Sequence, residues 1–91
     1  MPIREDSDMI LRFIYQEYVE KHHLVGSKDL LWQFKDWGGS RIDRAVKYLR
    51  DQGAIDIVLF MGNQNGLQNF MLKRITPIGI DRVEKGGEDY P

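Results

Sequence analysis

Four cations at helical spacing are the residues of this 91-residue sequence best suited to chemistry: Arg41, Arg44, Lys47 and Arg50, with Asp43 the sole acid between residues 40 and 50. At about 100° per residue, Arg44 and Lys47 fall on one side of a helix with Ser40 and Asp51. Arg41 and Tyr48 lie on its shoulder, and Ile42, Ala45, Val46 and Leu49 lie opposite. A face of this kind suits an anion. A guanidinium binds a phosphate or a base edge with two parallel hydrogen bonds, an ammonium binds phosphate as a point charge, and the free amides of a helix's first turn attract negative charge. The plainer reading, a solvated face opposite a buried one, is the commoner outcome for an isolated helix.

Other chemistries find little footing. With no cysteine there is no disulfide framework, thiolate nucleophile or thiolate metal site. His22 and His23 are adjacent and point in different directions on a helix, with no carboxylate at ligand spacing. The Gly62–Gly66 segment lacks the lysine of a phosphate-binding loop. No nucleophile elbow or acid–base pair occurs. No catalytic residue, metal or cofactor is expected. The longest apolar run, Ile57–Met61, falls far short of the roughly 20 residues that span a bilayer. Nothing after Met1 resembles a signal peptide. A cytoplasmic protein without membrane contact is expected.

The formal net charge of −1 argues against a polyanion-binding chain only until it is divided. Residues 1–20 carry −3 and residues 83–91 carry −2, whereas residues 40–50 carry +3. The positive field is local, and a local field matters more than a total.

The elements that must position this face follow from periodicity and caps. A first helix is predicted over about Ser7–Lys21, with Ser7 as N-cap and Ile10, Phe13, Ile14 and Tyr18 facing the core. Leu11, Tyr15 and Val19 widen its apolar surface beyond what one buried stripe needs, so they are candidates for contact with a second copy or partner. Leu24-Val25 reads as a short extended piece. A second helix follows Ser27 to about Asp36, its stripe Leu30, Leu31 and Phe34 continued by Trp37, with Trp32 pointing away. Gly38-Gly39 turns the chain. Ser40 then caps the third helix, with Asp43 three residues on as an acidic relative of a capping box, and Gly53 ends it. Residues 54–61 and 67–74 read as strands joined by a polar tip at Gly62–Gly66. Thr76-Pro77 opens a last helix to about Glu84. Residues 1–84 thus form one domain, and 85–91 are expected to be a disordered tail.

Helix, extended piece, helix, turn, helix, hairpin, helix is an order similar to that of a winged helix-turn-helix domain. The segment from Ser40 to Ile55 resembles the recognition-helix signature of bacterial and archaeal winged-helix regulators: a Ser-capped basic helix leading through Leu49-Arg50-Asp51-Gln52-Gly53-Ala54-Ile55 into the wing. Ile75-Thr76-Pro77-Ile78-Gly79 resembles the Leu-Thr-Pro-x-Gly junction that follows the wing. The likeness covers about residues 8–84 and identifies no subfamily. It implies an α+β fold, a three-helix core plus β-hairpin wing and short C-terminal helix. It also implies a small DNA-binding transcriptional regulator, acting as a homodimer, that places the helix from Ser40 to Gln52 in the major groove of double-stranded DNA. The expected DNA contacts are Lys28, Ser40, Arg41, Arg44, Lys47 and Tyr48, with Asn63, Gln64 and Asn65 at the wing tip.

Two features depart from that pattern. The wing tip carries no Lys or Arg, and Asp43 and Asp51 lie on or near the contact helix. The strands are also apolar on both faces, with Ile57, Leu59 and Met61 alternating with Val58 and Phe60. A ribbon covered on both sides has this pattern. The alternative is therefore a winged-helix protein-interaction module without significant DNA binding. Its partner contacts would be Leu11, Tyr15, Val19, Trp32, Ile57, Leu59 and Met61. The competing simple account is that the first and last helices cover both faces within one chain.

Overall fold

The structure, a computed structural model, describes residues 3–89. Helix α1 spans Ile3–Tyr15 and continues as a π-helical turn, Gln16–Glu20. Then come α2 (Ser27–Gln33), α3 (Gly39–Asp51), strands β1 (Ile55–Gln64) and β2 (Leu67–Ile75), and α4 (Pro77–Asp89). This is an α+β fold of four helices and a two-stranded antiparallel hairpin, compatible with a winged-helix-like layout. No helix among the described residues is long and apolar enough to cross a membrane.

The core is assembled from the stripes that periodicity picks out. Ile42, Ala45, Val46 and Leu49 of α3 are all buried, as their spacing predicts. They meet Ile10, Leu11 and Ile14 of α1, Leu30 and Phe34 of the α2 segment, and Leu67, Phe70, Leu72 and Ile75 of β2. Phe13 and Tyr18 pack only partly against this cluster. Leu11 corrects the sequence reading: it is wholly buried, so it belongs to the core and offers no partner contact.

Three helix starts differ from prediction. Helix α1 begins at Ile3, so Ser7 is not its cap. The Ser7 hydroxyl instead donates to Arg4 O at 2.8 Å and accepts from Arg82 Nη2 at 3.0 Å. Helix α2 is entered from Gly26, whose N–H donates to Asp29 Oδ2 at 2.8 Å, and Ser27 is its first residue. Helix α3 begins at Gly39, one residue before Ser40, and no side chain caps it. Short polar residues in the first turns mimic caps in sequence, and here the hydroxyls of Ser7 and Ser27 accept tertiary bonds instead, from Arg82 and from Phe70 N–H.

The ends are closer to expectation. Gly53 leaves α3 with φ 75°, and bonds from Ala54 N–H to Leu49 O (2.9 Å) and Gly53 N–H to Arg50 O (3.0 Å) close the helix. Thr76 caps α4, its hydroxyl accepting from Gly79 N–H at 3.1 Å. Helix α4 runs on to Asp89 instead of stopping near Glu84, so residues 85–89, expected in the tail, are helical; Tyr90 and Pro91 lie outside the described residues.

The hairpin turn is tighter than the five-residue tip predicted. Asn65 and Gly66 alone form it, at φ 55° and 95°, the left-handed pair that matches the twist of the flanking strands. Gly62–Gln64 belong to β1. Between the pairs Leu59–Phe70 and Asn63–Gln68, residues Phe60, Met61 and Gly62 face Asn69 alone, which makes a bulge. The predicted extended piece is present, with Gly26 bridging to Met71 and Leu72 N–H donating to Val25 O at 2.8 Å.

Candidate nucleic-acid interface

The hairpin turn is seated on the first turn of α3. A Cβ built on Gly39 would lie 2.1 Å from Asn65 O, and one on Gly66 would lie 2.2 Å from Ser40 Oγ. Only glycine on both sides permits this approach. The clamp is reinforced from Asp43, whose Oδ1 accepts from Gln68 N–H at 3.1 Å and whose Oδ2 pairs with Lys47 Nζ at 3.1 Å. Sequence reasoning read Asp43 as a capping residue and a liability toward phosphate. Its actual task is to tie α3 to β2, and only the pairing of α3 with a residue 25 positions on reveals it.

The expected contact residues divide into three groups. Arg44 is exposed and makes no ion pair among the described residues. It stands on the same helix face as Ser40 and Lys47. Asn63 lies across from Lys47, and with Asp43, Gly62, Gly66 and Gln68 they line a polar groove of about 300 Å³. Ser40 is exposed beside the turn. Tyr48 is half-buried, its hydroxyl accepting from Gln52 Nε2 at 3.0 Å. Of this group, the groove joins Lys47 and Asn63.

A second group lies on the other face of the hairpin. Lys28 and Gln64 line a separate groove with Phe60, Asn69, Phe70 and Met71. Asn65 contributes mainly its backbone, as the turn residue pressed on Gly39.

Arg41 requires correction. Its Nε and Nη2 donate to the two carboxylate oxygens of Asp6, each at 2.9 Å, and its guanidinium lies 4.0 Å from the centroid of the Trp37 ring. The bond from Arg41 outweighs burial and holds the Asp6 carboxyl below the ordinary range, while Asp6 raises Arg41 in turn. Arg41 therefore joins α1 to α3 and is not an available DNA contact. The +3 charge of residues 40–50 is largely answered inside the molecule. Asp6 neutralises Arg41, Asp43 neutralises Lys47, and Arg50 pairs with Asp51 at 3.0 Å, leaving Arg44.

The predicted partner-contact residues are scattered. Tyr15 is half-buried, its hydroxyl donating to Glu84 Oε2 at 2.6 Å, and that bond raises its pKa. Val19 is exposed at the end of the π-helical turn. Trp32 is 75% exposed on α2, with Lys35 Nζ 5.3 Å from its ring centroid. Ile57 is half-buried, while Leu59 and Met61 are exposed, Met61 at 95%. The two faces of the hairpin are thus not fully covered by α1 and α4.

No family model, curated protein or solved structure matches this chain.

Proposed function

We propose that this is a winged-helix DNA-binding domain that presents the middle of α3 and the tip of the hairpin to duplex DNA. One observation carries the reading. The clamp between Gly39 and the Asn65-Gly66 turn holds α3 and the hairpin side by side, so that Lys47 and Asn63 line one polar groove, with exposed Arg44 on the Lys47 side of α3. A helix of this length fits the major groove, where Arg44 is suited to a bidentate contact with guanine and Lys47 to a phosphate once it leaves Asp43. The contact set is shifted along α3 from its first turn toward its centre, because the turn covers Gly39 and Asp6 engages Arg41.

Few unpaired cations mean few phosphates neutralised. Non-specific affinity is accordingly low, and function as a transcriptional regulator calls for two copies on adjacent half-sites. The test is the variant Arg44→Glu combined with Lys47→Glu. Duplex binding measured by fluorescence anisotropy should be lost, with circular dichroism and sedimentation unchanged. Undetectable binding by the parent protein at low salt rejects the proposal.

A protein-interaction role is favoured by a different observation, the exposure of Val58, Leu59, Phe60 and Met61 in succession along β1. Contiguous apolar surface of this kind marks an interface more often than it is left to water.

A further inference from the structure

The two long edges of the hairpin are treated differently by the rest of the chain. Along β2, alternate N–H groups find acceptors outside the hairpin. Gln68 N–H donates to Asp43 Oδ1 at 3.1 Å, Phe70 N–H to Ser27 Oγ at 3.3 Å, and Leu72 N–H to Val25 O at 2.8 Å. In an antiparallel ladder, directly opposed residues that do not bond each other both turn their N–H and C=O outward. Ile57 opposes Leu72 and Leu59 opposes Phe70, so Ile57 and Leu59 form the outer edge of β1. Among the described residues no strand pairs with that edge, and neither N–H donates to a side chain or loop carbonyl. Nor is the edge blunted by sequence. Ile57–Met61 contains no Lys, Arg or Pro, the residues that ordinarily protect an open edge.

We propose that β1 pairs with β1 of a second copy, antiparallel, about a two-fold axis at Val58. In this register Ile57 lies opposite the partner's Leu59, and Leu59 opposite the partner's Ile57. Each such pair exchanges both main-chain hydrogen bonds. Val58 meets the partner's Val58 on one face, and since Val58 also pairs with Met71, an apolar row runs from Met71 across the axis. Asp56 falls opposite the partner's Phe60 and stays bonded to Arg74 at 2.7 Å, so no like charges are set face to face.

A second copy is the occupant that the two-fold register and the low net charge favour. A strand with its outward-facing pair symmetric about Val58 is complementary to itself under a two-fold. Copies with a net charge of −1 repel one another little. The exposed parts of Val58, Leu59, Phe60 and Met71 fall well short of the about 800 Å² per partner of a standard stable interface. The bulge at Phe60–Gly62 ends the paired segment and keeps the contact this small. The dimer is therefore weak and concentration-dependent. It uses neither Arg44 nor Lys47 and stands apart from the DNA reading.

Sedimentation velocity on the full chain from low to high micromolar concentration, without DNA, tests the proposal together with amide hydrogen exchange over the same range. The expected result is a shift from monomer to dimer accompanied by rising protection at Ile57 and Leu59. Val58→Lys, at an exposed position, sets two ammonium groups on the axis and should remain monomeric with unchanged circular dichroism. A strictly monomeric parent, a dimer undiminished by Val58→Lys, or dimerisation without added protection at Ile57 and Leu59 would each overturn it. Should Val58→Lys unfold, the exchange data on the parent protein still decide.

Discussion

Arg41, in the first turn of α3, grips Asp6 of α1 through Nε and Nη2, each bond 2.9 Å long, while the face of Trp37 covers its guanidinium. The residue with the strongest claim by position to touch an anion at the head of α3 is thereby turned inward. What remains for an external partner is Arg44 and, at the cost of its bond to Asp43, Lys47.

This pairing makes stability depend on acid in a defined direction. Asp6 is nearly buried, and Arg41 holds its carboxyl below the ordinary range. The unfolded chain therefore takes up the Asp6 proton at a higher pH than the folded one does. The pair's contribution is complete above the ordinary carboxylate range and is lost as pH falls below about 4, through the lowered value. Asp6→Asn should lower the thermal midpoint at neutral pH and flatten its decline between about pH 5 and 3 relative to the parent. Equal acid sensitivity of the two proteins would show that the pair does not couple folding to this carboxyl.

Leu11 separates a core role from a surface one. Leu11→Ala should cost about 2–5 kcal/mol in urea unfolding, because a wholly buried leucine leaves a cavity among Ile10, Ile14 and the α3 stripe. A loss under 1 kcal/mol, typical of exposed sites, would return Leu11 to the surface that the sequence reading assigned it.

The seat of the hairpin on α3 can be tested by one methyl group. In Gly39→Ala the new Cβ meets the backbone carbonyl of Asn65, which no rotamer change can move aside. A loss of roughly 1–3 kcal/mol is expected from overpacking. Faster hydrogen exchange should follow at Gln68, whose N–H depends on Asp43 being held alongside. Stability and exchange like the parent's would mean that the turn does not rest on the helix.

Much of the scaffold was legible because it depends on local rules. The α3 stripe of Ile42, Ala45, Val46 and Leu49, the Gly53 stop and the Thr76 cap each follow from spacing or backbone conformation within one turn. The extended piece at Val25 was legible too. The candidate site was legible only as a set of residue types. Whether Arg41 faces outward depends on Asp6, 35 residues away, and the task of Asp43 depends on Gln68, 25 residues away. Periodicity carries no information about such partners. The same limit misplaced Ser7, Ser27 and Ser40 as caps: each has the right side chain, but the helices start one to four residues earlier. The bulge at Phe60–Gly62 was hidden because glycine and an apolar run read equally well as strand end and turn.

The central claim, that the middle of α3 and the hairpin tip form a DNA-binding surface, is tested most directly by an NMR titration of the full chain with duplex DNA at low and moderate salt. Shifts should cluster at Arg44, Lys47 and Tyr48 and at residues 62–66, with those of Asp6 and Arg41 small. With only about two to three phosphates neutralised, log affinity should fall against log salt with a slope of roughly −2 to −3. Absence of shifts at Arg44 and Lys47 at the lowest salt, or shifts confined to β1 residues 57–61, would contradict the claim.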